Sequence, residues 1–346
     1  FACLCSAAAN RYAVVFDAGS TGTRVHVYFY ALSHGRGYTV QTVRPGPLRL
    51  GVELDKVKPG IATFASNPSQ VGVALRPLFA LAERCVPASE HQRSIVMLGA
   101  TAGMRLLPRR TQKRIFDEIF LAVGRYSSFR PNRSDFATLS GEEEGIFGWL
   151  SVNHLLQAAG LLQFKQLGMV GALDLGGGST QITVPYLKGA AVGEQSLQQL
   201  PGREAPLAVF SHSHLGFGNK EALAALTAEE ASACLPNGAF ANGSWQFAST
   251  GSAAAAKQWR LRGAGDFVEC ERGIRRVLGR LNRGAQPPVH GIRFVAMSLF
   301  FYAVNFARLG GFLPVSPNVN YSPSRLVTAA RSFFAEAYST LYSRMQ

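Results

Sequence analysis

Two short stretches of this chain hold the residue types that phosphate chemistry uses. Asp17-Ala-Gly-Ser-Thr-Gly-Thr-Arg24 and Asp174-Leu-Gly-Gly-Gly-Ser-Thr-Gln181 each begin with a carboxylate and run on through glycines and small hydroxyl residues. Without bulky side chains, the backbone N–H groups of such a loop can approach phosphate oxygens closely. The leading Asp can hold a divalent cation, directly or through its waters. One Gly-rich turn is an ordinary hairpin feature, but two of the same design, each led by Asp, can grip a polyphosphate from both sides. A third stretch, Gly141-Glu-Glu-Glu-Gly145, places three carboxylates at the start of a helix. The helix dipole accounts for Glu142 and Glu143. Glu144 lies next to Gly145 and the apolar side of that helix, where a carboxylate can act as general base toward a water attacking phosphorus. Thr101 and Arg105, in Gly99-Ala-Thr-Ala-Gly-Met-Arg105, follow a strand, the position where open α/β sheets place ligand contacts. There Thr101 can donate to a phosphate, and Arg105 can brace one or join an internal salt bridge.

These residues need elements to hold them. Tyr12-Ala-Val-Val-Phe16 and Val25-His-Val-Tyr-Phe-Tyr30 flank the first loop, and Met169-Val-Gly-Ala-Leu173 and Ile182-Thr-Val184 flank the second. Both read as a strand, a small-residue turn and a second strand. They recur about one domain length apart, which implies an internal duplication. Ser94-Ile-Val-Met-Leu98 is a buried-type strand. Periodicity predicts a helix over 111–123, with Ile115, Ile119 and Phe120 on one face, and a mostly buried helix over 146–156. Residues 187–202 read as loop, 221–233 as helix, and 295–309 and 326–342 as two apolar helices. Alternating strands and helices make this an α/β protein. The expected domains are residues 1–139 and 140–346.

Composition narrows the class. Of 346 residues, 47% are hydrophobic and 16% charged, which excludes disorder, collagen and coiled coil. The 35 Lys+Arg against 21 Asp+Glu give +14, an excess that fits anionic partners or a basic solvated surface. No helix-turn-helix, RNA-recognition signature or aromatic–basic interleaving accompanies it, so nucleic acid is not an expected partner. The five cysteines form no zinc-ligand pair. Cys234 and Cys270 bracket a Gly/Ala/Asn-rich stretch, expected to be a loop closed by one disulfide, and Cys85 is expected to be a buried thiol. Asn132-Arg-Ser, Asn242-Gly-Ser and Asn320-Tyr-Ser are glycosylation sequons, which favour an oxidising compartment. His212 and His214 fit one strand face without a third metal ligand, so packing or hydrogen bonding is expected of them. Residues 1–9 resemble the tail of a signal peptide or anchor.

Taken together, four segments resemble the first four signature regions of the apyrases, or nucleoside triphosphate diphosphohydrolases, in order. They are Val15-Phe-Asp-Ala-Gly-Ser-Thr-Gly-Thr-Arg24, Gly99-Ala-Thr-Ala-Gly-Met-Arg105, Ser140-Gly-Glu-Glu-Glu-Gly-Ile-Phe-Gly-Trp149 and Asp174-Leu-Gly-Gly-Gly-Ser-Thr-Gln181. His212-Ser-His-Leu-Gly-Phe-Gly218 and Ser298-Leu-Phe-Phe-Tyr302 resemble later family segments. The resemblance implies two ribonuclease-H-like domains of the actin, sugar-kinase and heat-shock-ATPase type, with the nucleotide in the cleft between them. It implies hydrolysis of terminal phosphates from nucleoside tri- or diphosphates with Ca²⁺ or Mg²⁺, in the secretory pathway (Golgi or ER lumen) or outside the cell, with a membrane anchor outside this stretch of chain. By the same resemblance Glu144 is the general base, Ser179 and Gln181 hold the attacking water, and Thr101 lines the pocket. Asp17 and Asp174 hold the hydrated metal. Ser20, Thr21, Gly22, Thr23 and Arg24, with Gly176, Gly177, Gly178, Ser179 and Thr180, grip phosphates, and Tyr302 stacks on the base.

Three departures stand out. Asn219 occupies a position where some animal members carry Arg, with Lys220 beside it. Phe301 competes with Tyr302 for the stacking role. No Trp-x-Leu-Gly segment follows residue 302, so the chain is expected to lack both ends of the family's length. Two other readings compete: an exopolyphosphatase-type phosphatase, which shares the Asp-led loops but calls for an acidic residue where Gln181 stands, and an actin-like module that binds nucleotide without hydrolysis.

Overall fold

The computed structural model describes residues 11–33, 37–43, 56–161, 169–185, 197–200, 207–245, 257–279, 291–315 and 321–345. They fall into two compact units, one formed by the described residues up to Ser140 and the other by those from Gly141 onward.

The first unit is built on a mixed sheet. Strands β1 (Arg11–Ala18), β2 (Thr23–Ser33) and β3 (Gly37–Val43) form an antiparallel meander, with the two-residue β4 (Lys56–Val57) pairing to β2. Helix α1 (Val71–Cys85) leads to β5 (Ile95–Ala100), which pairs parallel to β1. The short α2 (Ala102–Arg105) and the long α3 (Arg109–Tyr126) lead to β6 (Phe136–Thr138), parallel to β5. Strand order is β3-β2-β1-β5-β6, three antiparallel strands followed by two parallel ones, the ribonuclease-H-like arrangement. Apolar residues alternate along β1, so Val14 and Phe16 are buried and pack with Leu75, Phe79, Leu98, Ile115 and Ile119 from α1, β5 and α3. Phe120 packs against the same core from a partly buried position, as the helical period predicts. Cys85 is half-buried, and burial pushes its thiol pKa up.

The second unit opens with α4 (Gly141–Ala158), followed by β7 (Gly171–Leu175), β8 (Ser179–Pro185), β9 (Leu197–Leu200) and β10 (Leu207–Leu215). Helices α5 (Asn219–Ala224) and α6 (Ala228–Ala233), the ribbon strands β11 (Phe240–Trp245) and β12 (Lys257–Arg262), and α7 (Phe267–Leu278) come next. Strand β13 (Phe294–Ser298) and helices α8 (Leu299–Leu309), α9 (Pro323–Phe334) and α10 (Tyr338–Met345) complete it. Strand order is β13-β7-β8-β10-β9. The run β10-β8-β7-β13, with two antiparallel pairs and one parallel pair, repeats the run β3-β2-β1-β5 of the first unit. The duplication read from the two hairpins therefore extends to strand direction. Trp149 and Ile146 of α4 pack with Ala172 and Val209. Asn153 locks the helix to the sheet through a reciprocal pair with Val170: its Nδ2 donates to the carbonyl at 3.1 Å, and its Oδ1 accepts the N–H at 3.0 Å.

The structure corrects several boundaries. Helix α4 starts at Gly141 and is buried on one face only, with Leu150 and Leu155 exposed. Residues 197–200, expected as loop, pair with β10 as β9. The helix expected over 221–233 is two helices, because Thr227 starts a new one with a capping box to Glu230. Residues 295–298, expected to be helical, belong to strand β13, and Ser298 reaches φ 55° where the strand turns into α8. The helix expected over 326–342 is interrupted between α9 and α10. Cys234 and Cys270 are joined, as expected, but the bridge ties the end of α6 to α7 and the stretch between them contains the β11–β12 ribbon. At a sequence separation of 36, the chain-entropy contribution of the bridge is about 4 kcal/mol. Residues 1–10, including Cys3 and Cys5, and the sequon residue Asn320 lie outside the described residues. None of the described helices is long and apolar enough to cross a membrane.

Candidate active site

In the second unit, the alternation of β8 puts Ser179, Gln181 and Thr183 on one face, all nearly inaccessible to solvent. Opposite them on β10 stand Ser211, paired with Thr183, and Ser213, paired with Gln181. The result is a buried polar ladder under the first turns of α4. Thr183 and Ser211 share a hydroxyl–hydroxyl bond of 2.8 Å, and Ser211 Oγ donates to the Glu142 carbonyl at 3.1 Å. Above the ladder sits Gly145. A Cβ there would lie 2.5 Å from Ser211 Oγ and 2.6 Å from Thr183 Oγ1, so only glycine lets the helix lie this close. That approach delivers Glu144 to the sheet: Gln181 Nε2 donates to Glu144 Oε2 at 3.1 Å, and stands 2.7 Å from Ser179 Oγ and 2.9 Å from Ser213 Oγ. Three of the predicted residues, Glu144, Ser179 and Gln181, are thus joined in one network.

The loop between β7 and β8 is shaped from behind. The carbonyls of Gly176, Gly177 and Gly178 accept the N–H groups of Asn219, Lys220 and Gly216, at 3.0, 3.0 and 2.9 Å. Gly218 permits this contact, since a Cβ there would fall 2.3 Å from Gly177. With the carbonyls tied back, the Gly177 and Gly178 amides have no backbone acceptor among the described residues, as an anion-binding loop requires. Thr180 donates its hydroxyl proton to the Phe217 carbonyl at 2.8 Å. Asp174, at the paired end of β7, keeps one carboxylate oxygen, Oδ1, buried without a hydrogen-bond partner among the described residues. Asn219 and Lys220, flagged in the sequence for their side chains, act here through their backbone.

In the first unit, Asp17 is exposed near the end of β1, opposite Arg24 of β2, and residues 19–22 make the turn. Ser20 and Thr21 are partly exposed, whereas Thr23 is fully buried and its hydroxyl has no partner among the described residues. The turn is backed by a segment the sequence reading passed over. Lys56 pairs with Arg24 across β4 and β2, and a Cβ on Gly22 would meet the Val57 carbonyl at 2.6 Å and the Lys56 and Lys58 side chains at 3.3 Å. A Cβ on Gly60 would fall 2.7 Å from the carbonyls of Gly19 and Ser20. The signal was the Lys-Val-Lys-Pro-Gly run itself, cationic and ending in the glycine this packing needs. Thr101 precedes α2 and its N–H donates to the Ala18 carbonyl at 3.1 Å, which ties it to the end of β1; Arg105 ends α2.

His212 and His214 project from the face of β10 opposite Ser211 and Ser213, with ring centroids 4.5 Å apart and edge-to-face. Burial, reinforced by His212, pulls the pKa of His214 down. No group of three or more metal-ligating side chains occurs among the described residues. Tyr302 and Phe301 sit together on α8, 5.5 Å between centroids, and both are exposed.

Similarity to known proteins agrees with these motifs. Human nucleoside diphosphate phosphatase ENTPD5 is 37% identical over 66% of this chain and 54% of its own length. Bovine ectonucleoside triphosphate diphosphohydrolase 8 is 31% identical over 87% of this chain and 65% of its own. A nucleoside-triphosphatase of Pisum sativum is 31% identical over 78% of this chain and 58% of its own. The chain therefore spans between about half and two thirds of the length of these relatives. The crystal structure of nucleoside triphosphate hydrolases from Neospora caninum shares the fold, with a TM-score of 0.65 at 16% identity, covering 95% of this chain and 79% of that one. The GDA1/CD39 (nucleoside phosphatase) family model matches residues 4–294, and the chain belongs to that family.

Proposed function

We propose that this protein hydrolyses the terminal phosphate of nucleoside tri- and diphosphates by direct attack of water. The observation that carries the reading is the Gln181 amide, which joins the Glu144 carboxylate to the Ser179 hydroxyl one strand-end away from a loop whose carbonyls are turned back. A water held by Ser179 and Gln181 loses its proton to Glu144 as its oxygen bonds to the terminal phosphorus. The bond from phosphorus to the bridging oxygen breaks, and the shortened nucleotide leaves with the electron pair. Such a reaction needs positioning and charge neutralisation rather than a covalent intermediate. The amides of Gly177 and Gly178, with the Ser179 hydroxyl, take up phosphate oxygens, while Gly176 closes the turn by donating its own N–H to the Ser179 carbonyl at 3.0 Å. In the first unit the turn after Asp17, with Ser20, Thr21, Gly22, Thr23 and Arg24, serves phosphate in the same manner, with Thr101 beside the end of β1.

A divalent cation, Ca²⁺ or Mg²⁺, fits the donors present. The buried Oδ1 of Asp174 in the second unit, without a hydrogen-bond partner among the described residues, and the exposed Asp17 in the first are each hard oxygen donors of the kind such ions favour, and each would hold an ion through its waters. When bound, the ion neutralises charge on the phosphate oxygens. Tyr302, exposed on α8, is the proposed platform for the base.

The deciding experiment measures phosphate release from ATP, ADP, UDP, GDP and long-chain polyphosphate, with Ca²⁺ or Mg²⁺ and with EDTA, for wild type and Glu144→Gln. The reading expects nucleotide hydrolysis that EDTA abolishes, and a Glu144→Gln protein that binds nucleotide but turns over at least about a thousandfold more slowly. Activity confined to polyphosphate, or full activity in Glu144→Gln, refutes it. The disulfide and the exposed sequon residues Asn132 and Asn242 support a secretory-pathway or extracellular setting. Peptide N-glycosidase should then shift the gel mobility of protein from a secretory host. No shift in the wild type, or a shift that survives Asn132→Gln/Asn242→Gln/Asn320→Gln, counts against glycosylation.

A further inference from the structure

Ser213 belongs to neither Asp-led loop nor the acidic helix start, yet its hydroxyl lies 2.9 Å from the same amide nitrogen that contacts Glu144 and Ser179. Gln181 Nε2 carries two hydrogens and faces three acceptors. An ionised carboxylate only accepts, so the amide must present its N–H side to Glu144. One hydrogen then goes to the carboxylate in a charge-assisted bond, and the other is shared between Ser179 and Ser213. Once Glu144 has taken the proton of the attacking water, it becomes a poorer acceptor. The two hydrogens then have two hydroxyl oxygens to go to, one each.

We propose that Ser213 is a positioning residue for hydrolysis, holding the Gln181 amide through the change in protonation of Glu144 so that Ser179 stays aligned with the attacking water. This rests on the function proposed above. Several features of the fold equip Ser213 for the role. It is the direct cross-strand partner of Gln181, so its distance to the amide is set by sheet register rather than by a flexible loop. Its neighbour Ser211 is held by Thr183 and by the Glu142 carbonyl, so β10 and α4 move together. Without the Ser213 hydroxyl, Glu144 and Ser179 are the acceptors left to the nitrogen among the described residues. Both hydrogens are then taken by the two groups that must act on the water, and when Glu144 becomes protonated no third acceptor among the described residues stands by the amide.

The test compares Ser213→Ala, Ser213→Thr, Gln181→Ala and the Gln181→Ala/Ser213→Ala double variant. Ser213→Ala should lower kcat about tenfold, the worth of one hydrogen bond in a preorganised site, with KM for nucleotide unchanged. Thr keeps the hydroxyl and suits a strand, so Ser213→Thr should stay within about threefold of wild type. The double variant should be no slower than Gln181→Ala alone, because Ser213 acts only through that amide. Multiplicative losses, or wild-type kcat in Ser213→Ala, overturn the proposal. A second readout is independent of turnover: hydrogen exchange of the Gln181 side-chain amide, followed by ¹⁵N correlation spectra. Exchange should quicken in Ser213→Ala and stay slow in Ser213→Thr, and equal rates in all three proteins overturn the proposal. A wild-type protein that releases no phosphate while Gln181 exchange behaves as expected refutes the function and leaves the role of Ser213 in holding the amide intact.

Discussion

Gly145→Ala isolates the contact that seats the proposed base. The new Cβ would lie 2.5 Å from Ser211 Oγ, 2.6 Å from Thr183 Oγ1 and 3.3 Å from Gln181 Cβ, where ordinary contact begins near 3.4 Å. Neither hydroxyl can swing aside cheaply, because the two bond to each other and Ser211 also bonds the Glu142 carbonyl. Helix α4 must therefore lift by something on the order of 0.8 Å, comparable with the radial gaps that forfeit a large part of a packing contact. Two opposing terms set stability. Replacing a helix-interior glycine gains about 1 kcal/mol, and overpacking costs about 1–3 kcal/mol. The net is a loss of about 0–2 kcal/mol, or a few degrees in Tm. Activity should suffer far more. Glu144 is the adjacent residue, and a displacement of about 1 Å at a reacting group can cost about a hundredfold in rate. Gly124→Ala is the matched control, since Gly124 lies in α3 with nothing within 4 Å of an added Cβ; it should gain up to about 1 kcal/mol and keep full activity. Steady-state kinetics and thermal melts of the two variants decide the matter. A folded Gly145→Ala protein with wild-type kcat would refute the claim that close seating of α4 positions the carboxylate.

The cationic segment behind the first turn gives a second expectation. Lys56→Gln should raise KM for ATP several-fold with little change in kcat, and the increase should shrink as ionic strength rises; an unchanged KM at low salt would remove Lys56 from the phosphate site. A third concerns stability against pH. Hydrogen bonds from Arg276 hold the Glu230 carboxyl down at about 2, against burial that would raise it. Its pKa is lowered on folding, so the stabilisation is fully present above about pH 4.5 and is lost as pH falls toward 2. Glu230→Gln should therefore melt well below wild type at neutral pH, and the gap should close below about pH 3. A gap that persists unchanged at pH 2 would show that the charged form contributes nothing.

The parts of this molecule that were legible in its sequence are those where one local rule decides the outcome. Both Asp-led turns lie between apolar runs of strand formers, and both fold as antiparallel hairpins. Glu144 was singled out by its neighbours, and the glycine beside it proved to be the residue that lets α4 approach the sheet. The misreadings fall where short apolar runs fit helix and strand equally well. Residues 295–298 look helical until their parallel pairing with β7 is known, and that pairing comes from more than a hundred residues away in the chain. The segment Ser211-His-Ser-His214 shows the same limit more sharply. Its two histidines drew attention as potential ligands, but strand alternation sends them to one face and the serines to the other. Which face is chemically important depends on what lies across it. Register places Ser213 opposite Gln181 and Ser211 opposite Thr183, and α4 covers that side. No composition or spacing rule marks a serine for such a position, because the signal is held by the partner strand. The residues read from types and spacing are those that would touch phosphate or water. Those that hold them in place, Ser211, Ser213, Gly145, Gly218 and the backbone of Asn219 and Lys220, emerge only when strands from distant parts of the chain are laid side by side.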